Sequence, residues 1–133
     1  MKNLFKIGDT LQYRKVIAAA DVAAFQGEVV HPVYATFALA RDAEWTSRQF
    51  VLQLRDADEE GVGTELTIRH QGPAFEGEEI VFTATVRLLQ GNELVCTYEA
   101  KVGSRLIATG ETGQKILKRD KIAALFRKEE RPA

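Results

Sequence analysis

The stretch TFALARDAEWTSRQFVLQL, residues 36–54, decides the fold. It contains neither glycine nor proline, and Thr36 at its start is a suitable helix N-cap. Small and apolar residues recur along it at helical spacing and form one stripe, which comprises Ala40, Ala43, Ser47, Phe50, Val51 and Leu54. The stretch therefore predicts one long helix, and the small residues in its first half let it approach another surface closely.

After this helix the pattern changes to a period of two, which is typical of strands. The acidic segment DADEEG, residues 56–61, is expected to be a solvated loop between the two patterns. Turns are expected at Gln90-Gly91-Asn92 and at Gly103-Ser104. Four successive antiparallel strands are therefore predicted, over residues 62–70, 80–88, 94–102 and 105–116.

The segment before the helix is less regular. Residues 9–17 alternate and predict a first strand. Residues 18–25 are expected to form a short helical turn, and residues 26–33, with Gly27 and Pro32, are expected to be irregular. A short amphipathic helix is expected near residues 121–127. The order of strand, long helix and four strands predicts an α+β domain in which a curved antiparallel sheet wraps around one long central helix.

The composition narrows the possible functions. The 133 residues fit one domain, residues 1–133, with 45% hydrophobic residues and a net charge of -1. No basic stripe is interleaved with aromatic residues, so nucleic acid is not expected as a partner. The N-terminus has no long apolar run, and we expect a cytoplasmic protein without a membrane span. One cysteine, Cys96, and two distant histidines predict no disulfide, no metal site and no cofactor.

Three polar residues occur where apolar ones would be more ordinary: Thr36, Glu44 and His70. Each alone has a simple structural explanation, as a helix cap, a solvated carboxylate and a satisfied core histidine. Together they form a plausible hydrolytic set. A helix N-terminus can hold a thioester carbonyl oxygen as it gains negative charge, Glu44 could attack the carbonyl or activate water, and His70 could move protons. Gly63 can bring its backbone close because it has no side chain.

Tyr34-Ala35-Thr36-Phe37, Glu44-Trp45, Val62-Gly63-Thr64 and His70 resemble, in sequence and in spacing, the fluoroacetyl-CoA thioesterase family of hot-dog proteins. The similarity covers residues 7–116. It implies a hot-dog fold and hydrolysis of an acyl-coenzyme A to a carboxylate and free coenzyme A. It implies catalytic roles for Thr36, Glu44 and His70, with Gly63 close to the thioester. It also implies a homodimer, with a tetramer left open, and places Val30, Phe37 and Gln114 in the substrate pocket.

Two positions depart from the fluorine-selective enzyme of that family. Val30 stands where that enzyme has an aromatic lid residue, and Gln114 stands where it has an arginine near the end of the last strand. The resemblance therefore supports the hydrolase and leaves the acyl group open.

Two other functions also stay open. Residues 20–25, ADVAAF, resemble the segment before the catalytic loop of (R)-specific enoyl-CoA hydratases. In that family an aspartate precedes the catalytic histidine, whereas Gln26 stands at the corresponding position before His31. A non-catalytic acyl-CoA binding module would keep the pocket and tolerate the loss of Glu44 and His70.

Overall fold

The computed structural model describes residues 1–127. The long helix α1 spans Thr36–Leu54, as the sequence predicts, and a short helix α2 spans Arg119–Leu125. The strands are β1 (Thr10–Val16), β2 (Val22–Phe25), β3 (Glu28–Tyr34), β4 (Glu59–Leu66), β5 (Arg69–His70), β6 (Glu79–Gln90), β7 (Glu93–Val102) and β8 (Arg105–Lys118). A single 3-10 turn at Ala19–Asp21 joins β1 to β2.

The main sheet is antiparallel and curls around α1. Its strand order is β1-β6-β7-β8-β4, and the short β5 pairs with β8 beyond the end of β4. The long strands β6, β7 and β8 are joined by the two tight turns that the sequence predicts, at Gly91 and at Gly103, where the backbone φ angles are 59° and 58°. The α+β prediction, with one long helix against a curved antiparallel sheet, is confirmed.

The core lies between α1 and the concave face of the sheet. Leu39, Phe50 and Leu54 of α1 are fully buried, and Phe5 near the N-terminus packs edge-on against Phe50 with 4.8 Å between ring centroids. Burying a side chain of this size contributes about 1.5–3 kcal/mol. The predicted stripe is buried except for the half-buried Ala40. The structure adds four further buried positions of the helix, Ala38, Leu39, Asp42 and Thr46, and the N-cap residue Ala35 is buried as well.

The prediction for residues 18–33 is wrong. Only Ala19–Asp21 are helical, and β2 and β3 form a separate two-stranded hairpin. Its turn is Gln26-Gly27, where both φ angles are positive, 52° and 83°, as tight hairpin turns require. Pro32 is tolerated because it lies where the pairing register shifts, so no ladder hydrogen bond is lost there.

The strand predicted over residues 62–70 begins earlier and is interrupted. β4 starts at Glu59, which is buried, so the acidic segment is not entirely a loop. The chain leaves β4 after Leu66 and returns to β8 as β5. This break turns His70 into the last residue of its own two-residue strand, where it pairs with Ala108.

Candidate active site

The first turn of α1 has no side-chain cap. Ala35 is the N-cap residue, with extended φ and ψ of -73° and 145°, and Thr36 is already the first helical residue. The prediction that Thr36 caps the helix is therefore wrong, because its backbone has entered the helix. Its hydroxyl is used instead in a side-chain contact across to the sheet.

Thr36 and His70 form a hydrogen-bonded pair. The distance from Thr36 Oγ1 to His70 Nδ1 is 3.0 Å. The imidazole is half-buried and β5 fixes its position against β8. The hydroxyl can donate to Nδ1 of the neutral ring or accept from Nδ1–H, and in both cases it leaves Nε2 available for proton transfer.

Glu44 lies two turns further along α1 and faces β4. Its side chain is exposed, and a Cβ atom added to Gly63 would stand only 2.7 Å from Glu44 Oε1. No side chain other than hydrogen fits between the carboxylate and this strand. The glycine therefore allows the carboxylate to lie directly against the backbone of β4.

Glu44 and Gly63 line a cleft of about 350 Å³ between α1 and the β4–β8 pair. Gln114 of β8 also lines it; this residue is 4% exposed and pairs directly with Gly63 across the strands. At Gly61 an added Cβ would stand 2.6 Å from Val51 Cγ1 and 3.2 Å from Gln114 Oε1. Two glycines in β4 thus bring the helix and the Gln114 amide close together around the cleft.

Two arginines flank the cleft, and each is held by carboxylates. Arg48 Nη1 lies 3.0 Å from Glu60 Oε1, and Arg41 Nη2 lies 2.8 Å from Asp21 Oδ1. Burial alone would raise the pKa of Glu60, but hydrogen bonds from Arg48 and from the Gly61 N–H outweigh it and lower the pKa to about 2. Glu60 is therefore ionised at neutral pH and keeps the Arg48 guanidinium in place.

Five of the seven site residues predicted from the sequence fall into two groups. Glu44, Gly63 and Gln114 share the cleft, whereas Thr36 and His70 lie together at the start of α1. Eight residues at 1.5 Å each separate Thr36 from Glu44 by about 12 Å along the helix axis. The two remaining residues, Val30 on the hairpin and Phe37 beside Thr36, are about half exposed, and neither lines the cleft.

Phe37 belongs to the Thr36 group. Its ring lies 5.9 Å from the ring of Phe25 at the end of β2, with an edge-to-face angle of 70°. The hairpin is thereby attached to the first turn of α1, close to the Thr36–His70 pair.

The sequence prediction missed four residues that line the cleft: Arg41, Trp45, Arg48 and Gly61. A signal for three of them is present. Arg41, Glu44, Trp45 and Arg48 are spaced i, i+3, i+4 and i+7, which places them on one stripe of the helix beside the apolar stripe.

The described part of the chain can also be compared with what a metal site, a reactive thiol and a membrane span require. Within residues 1–127 no group of three His, Cys, Asp or Glu side chains is arranged to hold a metal ion. Burial raises the pKa of the Cys96 thiol to about 12, so it stays protonated and acts as a small core residue. Neither helix in these residues is both long and apolar enough to span a membrane.

Comparison with known proteins gives a consistent result. Residues 17–120 match the family described as fluoroacetyl-CoA-specific thioesterase. No curated protein sequence matches the chain. Among solved structures, a hypothetical protein of Thermus thermophilus, a thioesterase superfamily member, is 29% identical with a TM-score of 0.90, over 97% of this chain and 96% of that one.

Two more distant structures share the fold. The fluoroacetyl-CoA thioesterase itself is 19% identical with a TM-score of 0.86, over 98% of this chain and 100% of that one. A hot-dog-like protein from Thermanaerovibrio acidaminovorans is 18% identical with a TM-score of 0.86, over 97% and 96% of the two chains. At these identities the two structures support the hot-dog fold and do not define a substrate.

Proposed function

Since the chain belongs to the fluoroacetyl-CoA-specific thioesterase family and is a hot-dog-fold thioester hydrolase, we propose that it hydrolyses an acyl-coenzyme A through Thr36, Glu44 and His70. The products are the carboxylate and free coenzyme A. The observation that carries the assignment is the exposed Glu44 carboxylate, which lies against Gly63 at a cleft with room for an acyl group.

The chemistry needs two proton movements. If Glu44 is the base, it takes a proton from water as the water oxygen bonds to the thioester carbon, and the C–S bond then breaks. If Glu44 is the nucleophile, its carboxylate oxygen bonds to the same carbon and water later hydrolyses the anhydride. In both routes the departing thiolate needs a proton. His70 supplies it from Nε2 when its ring is protonated on both nitrogens, and the neutral ring that remains recovers a proton from the water that is consumed.

Thr36 acts on His70 and orients its ring. Its hydroxyl is within hydrogen-bond distance of Nδ1, where it can accept from the protonated ring or donate to the neutral ring, so Nε2 is left for proton transfer. The backbone N–H groups of the first turn of α1 have no side-chain cap and are suited to an oxygen that gains negative charge.

We also propose that the working form is a homodimer whose site combines residues of two chains. In one chain Thr36 lies about 12 Å from Glu44 along the helix axis, which is too far for both side chains to act on one carbonyl group. A two-fold related partner would bring the Thr36–His70 pair of one chain to the Glu44 cleft of the other.

A panel of acyl-CoA substrates, from acetyl to long-chain and aryl, tests the function through the release of free thiol. Glu44→Gln and His70→Ala should each lower kcat/KM on the best substrate by about 10²- to 10⁴-fold. Glu76→Gln changes an exposed carboxylate outside the cleft and should keep the wild-type rate.

The other outcomes separate the alternatives. Binding of acyl-CoA without thiol release from any substrate would indicate a binding module. Hydration of an enoyl-CoA without thiol release would indicate the hydratase. If both variants stay folded and hydrolyse at the wild-type rate, the catalytic assignment is wrong.

A further inference from the structure

Gln114 carries an unsatisfied amide in the interior. Its Nε2 is the one buried side-chain nitrogen or oxygen within residues 1–127 that has no hydrogen-bond partner. A buried donor without a partner costs free energy, and folded proteins rarely leave one in place without a use for it.

Other buried polar side chains of α1 and β8 have hydrogen-bond partners within the protein. Thr112 Oγ1 donates to Ser47 Oγ at 2.6 Å, and Thr46 Oγ1 donates to the Asp42 carbonyl oxygen at 2.7 Å. These contacts need nothing from outside. Gln114 lies two residues beyond Thr112 on the same strand and differs from both threonines in lacking a partner for its donor.

The amide lies at the floor of the cleft that holds Glu44. Gln114 pairs with Gly63, and its Oε1 lies 3.2 Å from the position that a Cβ on Gly61 would take. Directly paired residues of antiparallel strands have Cα atoms about 4.5–5.5 Å apart and point to the same face. A thioester carbonyl placed beside the Glu44 carboxylate in this cleft therefore puts the first few carbons of its acyl chain near the Gln114 amide.

We propose that Gln114 Nε2 donates a hydrogen bond to an oxygen on the acyl chain, and that the enzyme selects short acyl groups with a hydroxyl or keto oxygen over plain alkyl groups. The inference rests on the proposed function of the same cleft. The amide is uncharged, so it recognises an oxygen acceptor without requiring an acid. A plain alkyl chain in the cleft would leave the donor unpaired, and this difference is the source of selectivity.

The test compares kcat/KM for 3-hydroxybutyryl-CoA and butyryl-CoA, which differ by one hydroxyl group. The wild-type enzyme should prefer the hydroxyacyl substrate by about 10- to 100-fold. Gln114→Leu keeps the side-chain bulk without the donor; it should lose this preference, so that kcat/KM becomes similar for the two substrates. Gln114→Met is the substitute if the leucine variant does not fold, and Thr112→Val is the matched control, which should affect both substrates equally.

Two results would overturn the inference. One is a wild-type enzyme with equal kcat/KM for the two substrates. The other is a Gln114 variant that loses the same factor on both, which would assign Gln114 to positioning Glu44. If the wild-type protein hydrolyses neither substrate, the proposed function fails. Calorimetric Kd values for the same two compounds then decide the inference: the wild-type protein should bind the hydroxyacyl compound more tightly than butyryl-CoA, and the Gln114 variant should lose this preference.

Discussion

Asp21 and Asp42 are buried carboxylates that hold two cations at the start of α1. Lys15 Nζ lies 2.9 Å from Asp21 Oδ2 and 3.1 Å from Asp42 Oδ2, and Arg41 bridges the same two carboxylates from the cleft side. The Tyr34 hydroxyl also donates to Asp42. The network joins β1, the 3-10 turn, the end of β3 and α1, so it fixes the first turns of the helix that carries the site.

The pKa of Asp21 reports the strength of this network. Burial alone would raise it, but hydrogen bonds from the Ala18 N–H, from Arg41 and from Lys15 outweigh burial and lower it to about 2. The native carboxyl thus binds a proton less readily than the unfolded one. Its stabilisation is present above the unfolded pKa, near 4, and is lost as the pH falls towards 2.

We therefore expect the free energy of unfolding to fall between about pH 4 and pH 2, with a contribution from Asp21 of about 2 kcal/mol. Asp21→Asn should already be destabilised by about this amount at pH 7 and should show a weaker pH dependence in urea denaturation. Glu60, with a pKa of about 2, keeps some of the dependence in the variant.

Asp58→Asn is the matched control for this prediction. Asp58 forms an ion pair with Lys118 in which both side chains are more than half exposed, 66% and 58%. Such a pair contributes little, so stability at pH 7 should hardly change. A wild-type pH dependence in Asp21→Asn would show that the buried network is not its source.

At this scale the sequence indicates candidate residues better than their arrangement. It predicts Thr36, Glu44 and His70 as one set, whereas one chain of the structure pairs Thr36 with His70 and places Glu44 against Gly63. The unsatisfied state of Gln114 could not be predicted, because it depends on which neighbours from β4 and α1 happen to lack a hydrogen-bonding group.

Among the elements, α1 and the long strands were predicted well because each carries a strong period. The β2–β3 hairpin was missed because most of its side chains are half-buried or exposed, so no apolar alternation marks it. Within residues 1–127 its two strands pair with each other, apart from one bridge between Val33 and Phe75. Its turn uses Gln26 before Gly27, whereas Asn or Asp at that position would have been a clear hairpin signal.

At the scale of elements, we expect the hairpin to influence selectivity for small acyl groups. It leads into Thr36 and presents Val30, 52% exposed, where the fluorine-selective enzyme that the sequence resembles has an aromatic lid residue. A valine covers less of a small pocket than a phenyl ring does. Gln114 also replaces the arginine of that enzyme, so a fixed positive charge is absent from this position.

We therefore expect no strong preference for fluoroacetyl-CoA over acetyl-CoA when the two compete in one assay. Among unsubstituted acyl groups, kcat/KM should instead rise with chain length until the pocket is full, because each buried methylene contributes about 0.8 kcal/mol. Val30→Phe should lower the rates on the longer chains and leave acetyl-CoA least affected. A hundredfold preference for the fluorinated substrate would contradict the prediction and would direct attention to Phe25, the aromatic residue of the same hairpin.

At the scale of the whole molecule, the surface around the site exposes a strand edge and several large apolar side chains. Within residues 1–127 β4 pairs only with β8, so its outer edge is open, and its residues 63–66 are exposed. Large apolar side chains are exposed on the neighbouring elements: Phe25, Val29, Val30, Phe37, Trp45 and Leu66. Open strand edges and apolar patches of this kind favour pairing with a second copy.

The dimer should therefore be required for activity as well as for stability. In sedimentation at micromolar concentration we expect a species of twice the 14.8 kDa chain mass, and a species of one chain mass alone would contradict the prediction. Charged substitutions at the edge, such as Leu66→Lys, should give monomers that have lost thiol release although Glu44 and His70 are both intact.

Mixing two inactive variants then tests whether the site is shared between chains. If Glu44 comes from one chain and His70 from the other, a heterodimer of Glu44→Gln and His70→Ala chains has one doubly altered site and one intact site. Random exchange makes about half of the dimers mixed, so activity should recover to roughly a quarter of the wild-type value. If each site were built from one chain, every site in the mixture would carry one substitution and no activity would return. The mixed chains must first be unfolded and refolded together, since an exchange slower than the assay would give the same negative result. An affinity tag on the His70→Ala chain measures that exchange through the untagged Glu44→Gln chains that it retains.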